Sequence, residues 1–129
     1  MDIEKIVRAL GIKHVRRINP NDLQANKDTI NWALDLDEAS VIITDWPCKL
    51  KKSYNEEDFK RYDKMWQTKD KVITDLCTGC KACLRSGCSS LIFDPETKKT
   101  SINSNTCVGC DVCLQICPFD AIVKDENYG

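Results

Sequence analysis

Eight of the nine cysteines fall in the last 53 residues, in two matched runs: Cys77, Cys80, Cys83, Cys88 and then Cys107, Cys110, Cys113, Cys117, the second closing on Pro118. Thiolates are metal ligands, and three of them at Cys-x-x-Cys-x-x-Cys with a fourth set apart is the pattern that holds 4Fe-4S clusters. In the bacterial two-cluster arrangement each cluster takes three sulfurs from one run and the fourth from the other. The spacing therefore predicts one cluster on Cys77, Cys80, Cys83 and Cys117, and a second on Cys107, Cys110, Cys113 and Cys88. Two residues between cysteines let the chain wrap a cube corner while successive sulfurs address different irons. Gly79 and Gly109, each just before a middle cysteine, tolerate the positive φ that turns backbone N–H groups toward the cluster.

The elements that must hold these loops repeat with them. Cys77-Thr-Gly-Cys-Lys-Ala-Cys-Leu and Cys107-Val-Gly-Cys-Asp-Val-Cys-Leu align at an offset of 30 residues, the mark of a duplicated unit. A short helical turn is expected after each third cysteine, carrying the chain to the fourth. Strand candidates follow at Leu91-Ile92-Phe93 and Ala121-Ile122-Val123, with a turn at Asp94-Pro95-Glu96-Thr97-Lys98, a strand at Thr100 to Asn103, and an entering strand at Val72-Ile73-Thr74. The first run departs from the second in having four residues before Cys88 rather than three, and Ser89 where the second has Pro118. Loss of Cys88 as a ligand would leave its cluster labile or in a three-iron form. Val108, Val112, Leu84, Leu114, Ile116 and Phe119 are the candidates for an apolar shell.

Two other uses of the cysteines fit less well. Zinc knuckles pair thiols but seldom string three and repeat the string with a fourth. A disulfide scaffold needs secretion, whereas Met1-Asp2-Ile3-Glu4-Lys5 opens an amphipathic helix and not a signal peptide. With 19 basic and 20 acidic side chains among 129 residues, neither a nucleic-acid surface nor a polybasic membrane surface is expected. No apolar run approaches a membrane span, so a soluble, reducing, cytoplasmic setting is the expectation. Residues 72–129 carry 7 acids against 5 bases, and clusters would add negative charge. With little apolar core of its own, this segment should be largely unfolded without its cofactors.

Residues 1–48 have no chemical motif but clear periodicity. Ile3, Ile6, Val7 and Leu10 mark an amphipathic helix stopped by Gly11. His14 to Ile18 reads as a strand, with His14 structural or exposed. Asn19-Pro20-Asn21 reads as a turn, Asp22 to Leu36 as a helix with Leu23, Ile30 and Leu34 inward, and Val41 to Thr44 as a buried strand. Helix, strand, helix, strand is the tail of a parallel α/β sheet, too small to stand alone, so a longer polypeptide or a partner subunit should complete it. Residues 49–71 form a charged connector in which Phe59, Tyr62 and Trp66 suggest a helical stripe. Cys48 is expected to be a buried structural thiol. The predicted class is α+β: a two-cluster bacterial-ferredoxin-like module at 72–129, preceded by an incomplete α/β segment.

The joined order of Ile6-Val-Arg-Ala-Leu-Gly11, Asn19-Pro-Asn-Asp-Leu23, Ser40-Val-Ile-Ile43, Pro47-Cys48 and a first run ending Ser86-Gly87-Cys88 resembles the C-terminal end of the indolepyruvate ferredoxin oxidoreductase alpha subunit. The resemblance covers nearly the whole chain. It implies that residues 1–48 are the last helices and strands of a thiamine-diphosphate domain. It also implies that the clusters carry electrons from oxidative decarboxylation of aryl 2-oxoacids to external ferredoxin, with the rest of the alpha subunit and a beta subunit as partners. The Gly-Asp-Gly motif that binds thiamine diphosphate and magnesium in that family is absent here, so these cofactors belong to the complete enzyme. No catalytic residue carries over, and catalysis by this chain alone is not expected. The alternatives are an independent ferredoxin, a dicluster subunit of another oxidoreductase such as a hydrogenase, or a zinc-stabilised interaction module.

Overall fold

The computed structural model describes residues 1–48 and 69–126. The chain divides into two compact units, Met1–Trp46 and Pro47–Gly129, built throughout from short helices and two-stranded sheets in an α+β architecture. The helical stripe read at Phe59, Tyr62 and Trp66 lies outside the described residues.

In the first unit, α1 spans Ile3–Ala9, β1 His14–Ile18, α2 Leu23–Leu34 and β2 Ser40–Thr44. Both helices start where a carboxylate can take up free N–H groups: Asp2 accepts from Lys5 N, and Asp22 Oδ1 accepts from Ala25 N at 2.9 Å, ordinary aspartate N-caps. Asn19 Oδ1 accepts from Asn21 N at 2.9 Å and tightens the turn into α2. Strands β1 and β2 pair in parallel, Val15 beside Val41 and Arg17 beside Ile43. His14 opens β1, half-buried, with Nε2 3.3 Å from Glu38, and the Arg16 guanidinium lies 3.9 Å above the Trp32 ring.

Two expectations fail over residues 1–48. Leu23, Ile30 and Leu34 do not face a core: they are 37%, 50% and 76% exposed, and Ile3, Ile6 and Leu10 of the first helix region are exposed as well. Periodicity correctly marks an apolar face, but two helices over two strands leave that face uncovered. Cys48 is exposed and not a buried thiol.

The second unit contains β3 (Lys69–Val72), a 3-10 turn (Cys83–Ser86), β4 (Leu91–Asp94), β5 (Lys99–Ile102), α3 (Val112–Ile116) and β6 (Ile122–Asp125). The entering strand thus begins at Lys69, inside the stretch read as connector, and Ile73 and Thr74 already lie beyond its end. β3 pairs antiparallel with β6, Val72 beside Ile122 and Asp70 beside Lys124. β4 pairs with β5 in the same way, Leu91 beside Ile102 and Phe93 beside Thr100. The two hydrogen-bonded pairs are copies of each other, β3 matching β5 and β6 matching β4, with a helical turn after each third cysteine. Cys83, Leu91, Cys113 and Ile122 form the buried core, with Val72, Leu84, Ile102, Leu114 and Cys117 against it. Two of the four central residues are cysteines, so the middle of this unit is where sulfur is concentrated.

Candidate iron–sulfur site

At the first run the structure draws Cys77, Cys80, Cys83 and Cys117 around one recess, partly open to solvent, whose other walls include Val72, Phe119 and Ile122. These four are the set that the interleaved spacing predicts, and Cys117 reaches it from the other run. Turn geometry explains how. Gly79 has φ 72 and Gly109 φ 60, and the residues after the middle cysteines, Lys81 and Asp111, share that left-handed conformation at φ 61 and φ 60. Each loop therefore curls twice in the same sense.

Polar groups already point at the sulfurs. Burial acts to raise the Cys77 thiol, but the backbone N–H groups of Thr100 and Gly79 and the charge of Lys99 outweigh it and bring the thiol below its ordinary value. Those are the N–H to sulfur contacts that stabilise a ligating thiolate. Lys99 Nζ also donates to the Cys77 carbonyl. A Cβ at Gly79 would run into the Lys98 carbonyl oxygen, well inside contact distance, whereas one at Gly87 would meet nothing within 4 Å. Gly79→Ala should therefore abolish iron uptake at the first run. Gly87→Ala should cost only the left-handed penalty of roughly 1–2 kcal/mol and keep its iron; equal iron content in the two variants, measured by metal analysis, would contradict this.

At the second run Cys107, Cys110 and Cys113 stand close enough that the charges of the first two help to raise the Cys113 thiol, after burial and the Asp70 carboxylate. Gly109 N donates to Cys107 Sγ at 3.4 Å. Cys88 is exposed, its N–H donating to Ser86 Oγ at 3.3 Å. The extra residue of the first run is absorbed by Gly87, which closes the 3-10 turn at φ 71; in the second run α3 leads directly into Cys117 at extended backbone. Among the described residues, no three His, Cys, Asp or Glu side chains converge on a point where a single ion could sit. Of the shell candidates, Leu84 and Leu114 pack on the core and Phe119 lines the recess, while Val108 and Phe119 remain 39% and 46% exposed.

Sequence reasoning missed two residues at these sites. Asp70 on β3 is 4% exposed, with Oδ2 3.5 Å from Cys113 Sγ; burial and then the Asp111 charge raise its carboxyl to about 6. Thr100 on β5 is equally buried, with Oγ1 3.9 Å from Cys83 Sγ. The only signal in the chain was their position within the 30-residue repeat, where Asp70 and Thr100 correspond.

Comparison with known proteins agrees with this geometry. Residues 69–118 match the 4Fe-4S dicluster domain family. The indolepyruvate oxidoreductase subunit IorA of Thermococcus kodakarensis is 38% identical over 92% of this chain and 18% of its own length. IorA of Pyrococcus abyssi is 36% identical over 95% and 18%, and IorA of Archaeoglobus fulgidus 38% identical over 93% and 18%. The chain is homologous to the C-terminal part of IorA. It spans about 18% of the length of these relatives, and its IorA-like sequence includes both the unit without cysteine runs and the dicluster domain. The relatives are subunits of an oxidoreductase and so belong to larger assemblies. No described helix is long and apolar enough to cross a membrane.

Proposed function

We propose that this chain is the electron-transfer end of an indolepyruvate:ferredoxin oxidoreductase. In this reading Cys77, Cys80, Cys83 and Cys117 hold one 4Fe-4S cluster, and Cys107, Cys110, Cys113 and Cys88 hold the other. Residues 1–48 are the tail of the thiamine-diphosphate domain, residues 49–68 the connector and residues 69–129 the cluster module, since β3 of that module begins at Lys69. The clusters supply one-electron storage; the chain's own residues provide thiolates, N–H donors and a partly apolar surround that set the potential. Electrons released by 2-oxoacid oxidation elsewhere in the subunit, with its beta-subunit partner, leave through this module to external ferredoxin in the cytoplasm.

The observation that carries the reading is the recess shared by three cysteines of one run and Cys117 of the other, together with IorA similarity over both units. The exposed apolar faces of α1 and α2 favour a subunit segment over a free carrier, because a stand-alone ferredoxin has no need of residues 1–48. Anaerobically purified chain should be brown, contain about eight irons as full thiolate ligation of two cubes requires, and, once reduced, pass electrons to an added two-cluster ferredoxin. Zinc, no metal, or a reduced chain inert toward ferredoxin would sink the proposal.

A further inference from the structure

The two cluster sites are copies of one backbone plan, but the side chains at matched positions differ in charge. The loop residue after the middle cysteine is Lys81 in the first run and Asp111 in the second, at the same backbone conformation. Strand register supplies two further matched positions. Thr100 of β5 sits beside Phe93 of β4, and Asp70 of β3 beside Lys124 of β6. Around the first run, the Lys81 ammonium rests 4.2 Å from the centre of the Phe93 ring, with no counter-charge among the described residues, and Thr100 Oγ1 lies 3.9 Å from Cys83 Sγ, where the hydroxyl can donate once that sulfur is a ligating thiolate. Around the second, Asp111 is 8% exposed and held 3.0 Å from Lys124, and the Asp70 carboxylate stands against Cys113.

A cluster that gains an electron becomes more negative. A nearby cation or a hydroxyl able to donate to a ligating sulfur favours that gain, and a buried carboxylate opposes it, more strongly than in water because screening is poor. The remaining lysines do not cancel the difference. Lys99 and Lys69 occupy matched positions, each donating to a backbone carbonyl, of Cys77 and of Ser104 respectively, and Lys124 pairs with Asp111, offsetting one of the two carboxylates at the second run and not both.

We infer that Lys81 with Thr100, and Asp111 with Asp70, split the two cluster sites in potential, so that the site of Cys77, Cys80, Cys83 and Cys117 takes the first electron and the site of Cys107, Cys110, Cys113 and Cys88 is the more reducing of the pair. The inference rests on the ligand assignment proposed above. These four residues are positioning residues for charge and touch no substrate.

The test is an anaerobic, mediated titration of the full chain with titanium(III) citrate, followed by electron paramagnetic resonance, after iron analysis. The wild-type centres should reduce in two resolved steps. Asp111→Asn should raise only the lower step, increasing the reduced-to-oxidised ratio of that centre about tenfold at fixed poise, about 59 mV for one electron. Lys81→Asn should lower only the upper step by a comparable factor. Asparagine suits the left-handed backbone at both positions. Thr100→Val, which alters neither cysteine loop, should also lower the upper step and keeps the inference testable if a loop variant loses iron. Fully loaded protein whose centres titrate as one, or in which Asp111→Asn moves the upper step, overturns the inference alone. Protein with well under eight irons removes the ligand assignment and the inference together.

Discussion

Cys117→Ser is expected to strip the cluster of the first run, not that of the run in which Cys117 itself lies. Cys117 lines the recess of Cys77, Cys80 and Cys83, and its backbone N–H donates to Cys113 O and Leu114 O at the end of α3, which limits where the sulfur can go. Iron should fall from about eight to about four per chain, the share of one cube. The decisive comparison is spectroscopic. The residual signal of Cys117→Ser should match that of Cys80→Ser, because both lose the same centre, and differ from that of Cys110→Ser. A match with Cys110→Ser instead would mean that each run closes its own cluster, and the interleaved assignment would be wrong.

The second large effect concerns folding. Removing both clusters with an oxidant and chelator should abolish the structure of the second unit. Its four buried core residues include Cys83 and Cys113, its other buried apolar residue is small (Ala121), and its sheets have two strands each. Two-stranded sheets are marginal alone, and in such a unit the free energy of metal binding supplies the free energy of folding. Two buried carboxylates, Asp70 and Asp111, add a burial cost that only a well-ordered surround offsets. Amide exchange at Ser101 and Val123, at hydrogen-bonding positions of the two strand pairs, should lose its protection on cluster removal and regain it on reconstitution with iron and sulfide. Retained protection in the cluster-free chain would show that the polypeptide core suffices.

Legibility in the chain followed the range of the interaction. Local signals were read well: the start of the second helix next to Asp22, the stop at Gly11, the helical turns after each third cysteine, and the positive φ of Gly79 and Gly109 all depend on residues a few positions apart. The turn at Asp94 is the same, its carboxyl accepting from Glu96 N at 2.9 Å. Where the reading failed, at the exposed faces of Leu23, Ile30 and Leu34 and at Cys48, the missing information was what surrounds the element. Apolar periodicity shows that a face is suited to burial; it does not supply the surface that buries it.

The cysteine spacing by itself pointed to two sites on a doubled plan and supplied the ligand sets proposed above, because ligation of a cube constrains residues a short loop can reach. Tertiary structure alone decided the electrostatic difference between those sites. Asp70 meets Cys113 across 43 positions and Thr100 meets Cys83 across 17, and both meetings are set by strand register and core packing, which act between segments remote in the chain. Spacing can therefore specify where iron is held, whereas the ease with which each site accepts an electron depends on neighbours that only folding brings within range.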